Sequence, residues 1–291
     1  MTALLEVPES PARPAPPERG GVPGWVWLVP PLAVLALLVV WPLVVLAVRT
    51  VSEPDRGWTG TDRWSAVLGG SRVWEAAWTS VEIALLSTVG CVLVGTFLAI
   101  VVVLLPMPGT GLLARWIEAV VSFPSFLVPL TFGVLFGGAG VVPAVVGRVT
   151  GEVPQWTFMA ETTGVVLSEI VFFTPFVAGP VIAALHRFPR GQIDAAASLG
   201  SGVGRILRRV VLPEIAPAIA AAGSLVFLLT LNEIGIVLFT GAKSVQTLPM
   251  LVYTEAVVSG DLATASVVAC VEVLLSVTVY LAYRRAFRGV R

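Results

Sequence analysis

The stretch that decides the fold is residues 25–48, WVWLVPPLAVLALLVVWPLVVLAV, which contains no charged residue. A helix of about 20 apolar residues spans the hydrocarbon core of a bilayer. Trp25 and Trp27 stand at one end and Arg49 at the other, and both residue types are common at membrane–water interfaces. The stretch therefore predicts a transmembrane helix.

Five further stretches have a similar length and composition. They are residues 83–105, 119–138, 162–185, 215–239 and 262–283. Pro124 and Pro129 interrupt the third predicted span, and Pro175 and Pro180 fall within the fourth, where each removes a helical hydrogen bond and favours a kink. We expect an all-α, polytopic membrane protein with six transmembrane helices.

The composition agrees with a membrane protein. Of the 291 residues, 56% are hydrophobic and 12% are charged, whereas a soluble domain carries about 25% charged residues. The formal net charge is zero, so no basic field favours a nucleic-acid partner. Cys91 and Cys270 both lie in apolar stretches and His186 is the single histidine, so the sequence predicts neither a disulfide nor a metal site.

The ends of the chain and the arginines predict the topology. Residues 1–24 are rich in Pro, Glu and Arg, so they predict a disordered tail in front of a membrane domain of residues 25–291. Six spans place both termini on one side of the membrane. With the termini inside, twelve of the 18 Lys and Arg residues lie on the cytoplasmic side. Because cytoplasmic loops carry the excess of these residues, we expect both termini to be cytoplasmic.

The loop between the fourth and fifth predicted spans, residues 186–213, reads HRFPRGQIDAAASLGSGVGRILRRVVLP. Good helix formers at 193–199, with Asp194 near the predicted start, indicate one short helix. Two glycines then end or bend it. A second short helix at 203–211 runs to Pro213. The pattern predicts a helix–turn–helix at the membrane surface that contacts a soluble partner.

This loop resembles the cytoplasmic motif of the permeases of bacterial binding-protein-dependent ABC importers. The family pattern is Glu-Ala-Ala, three residues, Gly, nine residues, Ile, one residue, Leu-Pro. The matching residues here are Asp194, Ala195, Ala196, Gly200, Val210, Leu212 and Pro213. Asp replaces Glu and Val replaces Ile, and both changes are mild. The resemblance covers residues 77–285 and implies the type I ABC importer permease fold, with the first span added in front.

The resemblance also implies partners and a role for the loop. Residues 186–213 would be the coupling loop that docks on an ATPase subunit. The residues assigned to coupling are Asp194, Ala195, Ala196, Leu199, Gly200, Leu212 and Pro213. ATP and Mg²⁺ are expected on separate ABC ATPase subunits, because this chain has no phosphate-binding loop of its own and is therefore expected not to be an enzyme. A second permease subunit, identical or different, and an extracytoplasmic substrate-binding protein complete the expected assembly in the inner (plasma) membrane of a bacterial cell.

The stretch 231–253, LNEIGIVLFTGAKSVQTLPMLVY, narrows the range of candidate substrates. It resembles permeases for 2-aminoethylphosphonate, in which similar Asn-Glu-x-Gly-Ile-Val-Leu-Phe, Gly-Ala-Lys and Thr-Leu-Pro elements occur. The resemblance implies inward transport of this zwitterion by alternating access. Permeases for iron and polyamines share the Thr-Leu-Pro element, so ferric iron, polyamines, thiamine and sulfate stay as alternative substrates.

Four polar residues inside the predicted spans are candidates for the substrate pathway: Glu169, Asn232, Glu233 and Glu272. Ionisable residues are costly in a bilayer and usually face a cavity or a partner. Glu233 suits an ammonium group, and Asn232 suits a phosphonate oxygen. The alternative for each Glu is a structural hydrogen bond to a neighbouring helix or subunit.

Two other functional classes fit the sequence less well. An intramembrane enzyme needs a nucleophile with a base, or a metal cluster, and the chain has a single histidine and no His-Glu-x-x-His motif. We therefore predict no catalytic residue. A channel or secondary transporter needs no ATPase-docking loop, so the 186–213 loop argues against both.

Overall fold

The computed structural model describes residues 23–53, 57–58, 60–105, 108–154, 156–242 and 244–286. Residues 1–22 of the predicted tail lie outside this part of the chain, as does Lys243 of the Gly-Ala-Lys element. Within it, six helices are long and apolar enough to cross a membrane, as predicted. The chain divides after Val45 into two compact units, which are described separately.

The first unit contains most of helix α1, which spans Trp25–Arg49. A π-turn at Ala36–Val40 precedes Pro42, and the N–H of Trp41 bonds to the carbonyl of Ala36. In a regular α-helix a proline removes one hydrogen bond and clashes with the carbonyl four residues earlier. The wider turn allows α1 to continue past Pro42.

The second unit begins with a small hairpin and a long helix. Strands β1 (Ser52–Glu53) and β2 (Gly57–Trp58) pair antiparallel, and helix α2 follows at Asp62–Gly69. Helix α3 then runs for 34 residues, Ser71–Leu104. The second predicted span began at residue 83, so the helix is longer at its N-terminal end than predicted.

The bounds predicted for the third span, residues 119–138, are wrong. Helix α4 (Thr110–Val120) ends before Pro124, and the membrane-crossing segment is Leu127–Thr150. Residues just before a proline are disfavoured in the helical conformation, which explains why α4 does not continue. Pro129 lies in the first turn of the next helix, where a missing N–H costs little.

That third segment consists of two helices, α5 (Leu127–Phe136) and α6 (Val141–Thr150). The break contains three glycines. A Cβ at Gly137 would collide with the carbonyl oxygen of Gly133, so this turn requires the close backbone approach that glycine permits.

Helix α7 (Thr162–Arg187) matches the fourth predicted span and continues through Pro175 and Pro180. Helix α8 (Arg190–Ser198) follows it directly. The second loop helix was predicted to end at residue 211, which is wrong, because it continues into the fifth span as one helix, α9 (Val203–Leu231). A π-turn at Leu207–Val211 precedes Pro213, as one precedes Pro42 in α1.

The fifth predicted span, residues 215–239, contains a break that the sequence analysis did not predict. Helix α9 ends at Leu231, and helix α10 (Gly235–Thr240) starts after a short turn. The Glu233 carboxylate accepts the N–H of Ile236 at 3.0 Å, which satisfies one unpaired donor at the start of α10.

Helices α11 (Leu248–Val258) and α12 (Leu262–Ala286) complete the chain. The Thr-Leu-Pro element has a structural role at the start of α11. The Thr247 hydroxyl accepts the N–H of Met250 as an N-cap, and Pro249 occupies the first turn, where its missing N–H is harmless.

The second unit has two apolar cores that share α3. The inner core joins the middle and C-terminal part of α3 to α7, α9 and the loop helices; Ile83, Val177 and Val226 are among its buried members. The outer core joins the N-terminal part of α3 to α11 and α12, through Val73, Leu248, Leu251 and others. A buried hydrogen bond from the N–H of Leu248 to the Ser80 hydroxyl, 2.8 Å long, holds α11 on α3.

Small residues allow α3 and α7 to pack closely. A Cβ at Gly95 would lie 2.8 Å from the Val177 Cβ and 3.0 Å from the Thr174 carbonyl oxygen. A Cβ at Gly90 would overlap the Ile170 side chain. Such small-residue contacts are the usual way in which membrane helices approach each other.

Candidate functional site

Helix α8 of the predicted coupling loop has an inward and an outward face. Ile193 and Ala196 pack against the inner core, whereas Asp194 and Ala195 are exposed. The expectation that Asp194 stands near the helix start is wrong, because α8 already begins at Arg190. Asp194 is therefore an exposed mid-helix carboxylate, and Ala196 serves the packing of the loop on the bundle.

Gly200 forms the turn that follows α8. Its φ is +79°, and the N–H of Ser201 bonds to the carbonyl of Ala196 at 3.0 Å. The N–H of Gly200 bonds to the carbonyl of Ala197 at 2.9 Å. These two bonds define a Schellman motif, in which glycine is favoured because the left-handed conformation is costly for other residues. The turn geometry thus explains the glycine of the family pattern.

The tip of the loop is apolar and exposed. Leu199 is 87% exposed and Val203 is 85% exposed, on either side of the Gly200 turn. Exposed neighbouring apolar side chains indicate a surface that contacts a partner. The tip and the exposed face of α8 together form one outward surface.

The start of α9 also has two faces, as the sequence predicted. Arg205, Arg208 and Arg209 are exposed, whereas Ile206 is buried. Leu212 packs against the inner core, and Pro213 is exposed in the turn after the π-turn.

A groove of about 210 Å³ lies between this loop and the C-terminal end of α3. Its lining residues are Ile100, Leu104, Leu105, Ile193, Val203, Ile206, Leu207 and Val211. The loop therefore rests on the membrane helices through apolar contacts, which can transmit a displacement of the loop to the bundle.

Glu169 lies at the centre of the helix bundle. Glu169 is 0% exposed, and neither of its carboxylate oxygens has a hydrogen-bond partner among the described residues. The hydroxyl of Ser87, on α3, faces it and also lacks a partner there. An unpaired buried carboxylate costs free energy, so Glu169 marks an energetically expensive position inside a single chain.

Glu233 is occupied by structural contacts. Its Oε1 accepts a hydrogen bond from the Ser125 hydroxyl at 3.0 Å in addition to the one from Ile236 N–H. A Cβ at Gly235 would lie 3.0 Å from both Glu233 Oε1 and Ser125 Oγ, so glycine leaves room for this arrangement. The contacts join the start of α10 to the segment that precedes α5.

Asn232 and Glu272 lie on the accessible side of the bundle. The Asn232 amide is exposed and exchanges hydrogen bonds of 3.3 and 3.4 Å with the Ser276 hydroxyl on α12. Glu272 lies one helical turn before Ser276, on the same face. It is half-buried, and the described residues provide it with no hydrogen bond or ion pair.

Two ion pairs at the opposite end of α3 from the coupling loop were not predicted. Arg72 Nη1 lies 2.5 Å from Glu255 Oε1, and Arg63 Nη1 lies 3.3 Å from Asp261 Oδ1. Arg72 stands in the first turn of α3, where a cation is disfavoured by the helix dipole. That unfavourable position is a sequence signal for an acidic partner, although the sequence does not reveal which one.

Asp261 is the N-cap of α12 as well as an ion-pair partner. Partial burial alone would raise the pKa of its carboxyl group, but hydrogen bonds from the Thr264 hydroxyl and N–H, the charge of Arg63 and the Ala263 N–H outweigh this effect and lower the pKa. The carboxylate therefore holds the start of α12 and α2 together.

In the part of the chain that the structure describes, no group of three or more His, Cys, Asp or Glu could hold a metal ion. The candidate sites are thus a loop surface and a set of polar side chains within the bundle.

A match to a protein-family model shows which family the chain belongs to. Residues 91–291 match the family described as "Binding-protein-dependent transport system inner membrane component". The chain belongs to this family. It is a permease subunit of an ABC importer and a multi-pass inner membrane protein, and its family works with a substrate-binding protein.

Individual relatives agree with the family. The permease is 37% identical over 262 residues to a Salmonella paratyphi A protein named "Putative 2-aminoethylphosphonate transport system permease protein PhnU", covering 90% of each chain. It is 25% identical over 217 residues to the spermidine/putrescine transport system permease protein PotC of Escherichia coli K12, covering 73% of this chain and 76% of that protein.

Solved structures confirm the fold. A chain of a bacterial alginate ABC transporter superposes with a TM-score of 0.74 at 14% identity and covers 91% of this permease and 94% of that chain. A chain of the MetNI methionine ABC transporter gives a TM-score of 0.55 at 18% identity, with 74% and 94% covered. The predicted type I permease fold is therefore confirmed.

Proposed function

We propose that this permease imports 2-aminoethylphosphonate. The observation that carries the proposal is the 37% identity to the PhnU protein over 90% of both chains, because that relative is named for this substrate. The stretch 231–253 supports it through its resemblance to permeases for 2-aminoethylphosphonate.

A polyamine is the second candidate substrate, because PotC is named for spermidine and putrescine and is 25% identical. Ferric iron, thiamine and sulfate are named by neither of these two relatives. Membership in the importer family argues against a channel, a secondary transporter or an intramembrane enzyme.

ATP and Mg²⁺ are proposed to bind a separate ATPase subunit, to which the permease is coupled through Asp194, Ala195, Ala196, Leu199, Gly200, Leu212 and Pro213. The exposed apolar tip at Leu199 and the exposed face of α8 support this docking surface. A second permease subunit, identical or different, completes the membrane part. Both chain termini are proposed to be cytoplasmic, which places the coupling loop on the side where ATP is present.

The substrate pathway is proposed to involve Glu169, Asn232, Glu233 and Glu272. These polar side chains lie within or between the membrane-crossing helices, where such groups are retained for a partner, a cavity or a transported solute.

Uptake by the reconstituted importer tests the proposal. The permease, its ATPase and its binding protein are placed in proteoliposomes, and ATP-dependent uptake of labelled 2-aminoethylphosphonate is measured with putrescine as competitor. We expect saturable uptake that unlabelled 2-aminoethylphosphonate abolishes and putrescine does not. Uptake of putrescine instead, or uptake that persists with an inactive ATPase, would contradict the proposal.

A further inference from the structure

The three glutamates proposed for the substrate pathway differ in what surrounds them. Glu169 is sealed among α3, α7 and α9, so a solute cannot touch it in this conformation. Glu233 is held by Ser125 and the start of α10. Only Glu272, among these three, is partly accessible and has no hydrogen bond or ion pair in the described part of the chain.

Polar neighbours surround the same position. Ser276 follows Glu272 by one helical turn and is bonded to the exposed amide of Asn232, which also donates to the Leu228 carbonyl at 2.7 Å. A carboxylate, a hydroxyl and an amide thus line one seam between α9 and α12. Hydrocarbon does not solvate such groups, so this seam faces something polar when the importer is assembled.

The seam continues into a groove of about 390 Å³ between α3, α9 and α12. Its surface is almost entirely apolar, although Thr88, Ser224, Tyr280 and Tyr283 are among its lining residues. The groove is therefore an apolar continuation of the seam along α12, one to two turns beyond Ser276.

The charged residues of the membrane-crossing segments favour a cationic ligand at this position. Residues 83–104, 162–185, 212–231 and 262–283 contain three glutamates, Glu169, Glu214 and Glu272, and no Lys, Arg or His. An accessible carboxylate in that setting is paired most favourably by a cationic donor, with which it forms a charge-assisted hydrogen bond.

We propose that Glu272 binds a primary ammonium group of the transported solute, and that Asn232 and Ser276 supply neutral hydrogen bonds in the same subsite. This inference rests on the proposed function. A primary ammonium group is shared by 2-aminoethylphosphonate, putrescine and spermidine, so the subsite suits either of the two candidate substrate classes.

The test compares ammonium-bearing and ammonium-free ligands in the complete importer. Uptake of 2-aminoethylphosphonate, putrescine and ethylphosphonate, which lacks the amine, is measured for the wild type, Glu272→Gln and Glu272→Asp. Glu152→Gln, an exposed acid in the loop after α6, is the matched control. Basal ATPase activity and co-purification of the subunits verify assembly.

We expect Glu272→Gln to lower kcat/KM for the ammonium-bearing substrate by about tenfold or more, the effect of one charge-assisted hydrogen bond. The preference of the Glu272→Gln importer for the ammonium-bearing substrate over ethylphosphonate should fall in parallel. Glu272→Asp should recover part of the kcat/KM and part of this preference. A purely structural role would change uptake of all ligands equally. The proposal that Glu272 binds the ammonium group would be overturned by equal uptake of the ammonium-bearing substrate by wild type and Glu272→Gln. An equal loss of uptake for every ligand would overturn it as well.

The outcomes separate this inference from the proposed function. If the wild type transports putrescine instead of 2-aminoethylphosphonate, the substrate proposal fails, while the effect of Glu272→Gln on putrescine uptake still decides the subsite. If the wild type transports 2-aminoethylphosphonate and Glu272→Gln does so equally well, only the subsite fails.

Discussion

The guanidinium group of Arg72 lies 2.5 Å from the carboxylate of Glu255, and the two side chains differ greatly in exposure, 54% for Arg72 and 10% for Glu255. The pair joins the first turn of α3 to the π-turn at Thr254–Val258, which ends α11. Loss of the arginine would leave a nearly buried carboxylate unpaired, whereas loss of the carboxylate would leave an arginine that water can reach.

Substitution of Arg72 and substitution of Glu255 should therefore have unequal effects on the stability of the protein. Arg72→Met, which keeps an apolar stem, should lower the melting temperature of the detergent-solubilised protein more than Glu255→Gln, because only the first leaves an unpaired buried charge. The expected difference is about 2–4 °C, the shift that 1 kcal/mol produces in a domain of about 150–250 residues.

The double variant, Arg72→Met with Glu255→Gln, is the control for this comparison. It should be more stable than Arg72→Met alone, because it contains no unpaired carboxylate. A double variant that is less stable than both single variants would show that the charge imbalance is not the cause.

The lowered pKa of Asp261 predicts how its contribution depends on pH. A carboxyl group with a lowered pKa in the folded state contributes stability above its unfolded pKa, near 3.8, and loses it as the pH falls through the folded value. The melting temperature difference between wild type and Asp261→Ala should therefore be the same at pH 7.5 and at pH 5.5, and it should shrink below about pH 3.8. A difference that stays constant from pH 5.5 down to about pH 3 would mean that the pKa is not lowered.

Asp261→Asn separates the two roles of this side chain. Asn is also a good N-cap, so this variant should keep the backbone cap of α12. It should lose the ion pair with Arg63 and the hydrogen bond that Oδ2 accepts from the Thr264 hydroxyl. We expect Asp261→Ala to cost about 1 kcal/mol more than Asp261→Asn, a typical value for an N-cap.

The close approach of α3 and α7 predicts opposite effects for two glycines. Gly95→Ala should destabilise the protein by about 1–3 kcal/mol, because its Cβ would press on Val177 and the backbone of Thr174. Gly179→Ala, in α7 with no atom within 4 Å of the new Cβ, should be neutral or stabilising by up to about 1 kcal/mol. Thermal melting of both variants checks this, and equal effects would contradict the packing argument.

The Schellman turn after α8 predicts a defect in coupling. Gly200→Ala forces a residue with a Cβ into φ +79°, which costs about 1–2 kcal/mol and should displace the loop tip. Gly202→Ala is the matched control, because Gly202 has φ −70° and open space around it. We expect substrate-stimulated ATPase activity to fall in Gly200→Ala and to remain near the wild-type rate in Gly202→Ala. A similar loss in both would argue against the turn geometry as the cause.

The sequence predicted the features that depend on local composition. The first, fourth and sixth spans agree with the predicted ranges, because an uninterrupted apolar run of sufficient length has few alternatives in a bilayer. The Gly200 turn was predicted for a similar reason, since a glycine after a short helix is the common C-terminal signal.

The features that depend on contacts between distant residues were not predicted. The break before α10 is stabilised by Ser125, which is 108 residues from Glu233 in the sequence. The N-terminal extension of α3 is stabilised by α11, through the bond between Ser80 and Leu248. Periodicity and composition contain no information on such pairs. The same limit explains why four candidate pathway residues were equivalent in the sequence and became distinguishable by burial and hydrogen bonding.

The 34 residues of α3 pass through both apolar cores, and this geometry has a mechanical consequence. At 1.5 Å per residue the helix is about 50 Å long, with the Arg72 ion pair near one end and the groove under the coupling loop at the other. A rigid rod of this length that tilts by about 5° around its midpoint moves each tip by about 2 Å in opposite directions. A tilt of helix α3 that starts on one side of the membrane therefore displaces its other end on the opposite side. This displacement requires no rearrangement of the helices between the two ends.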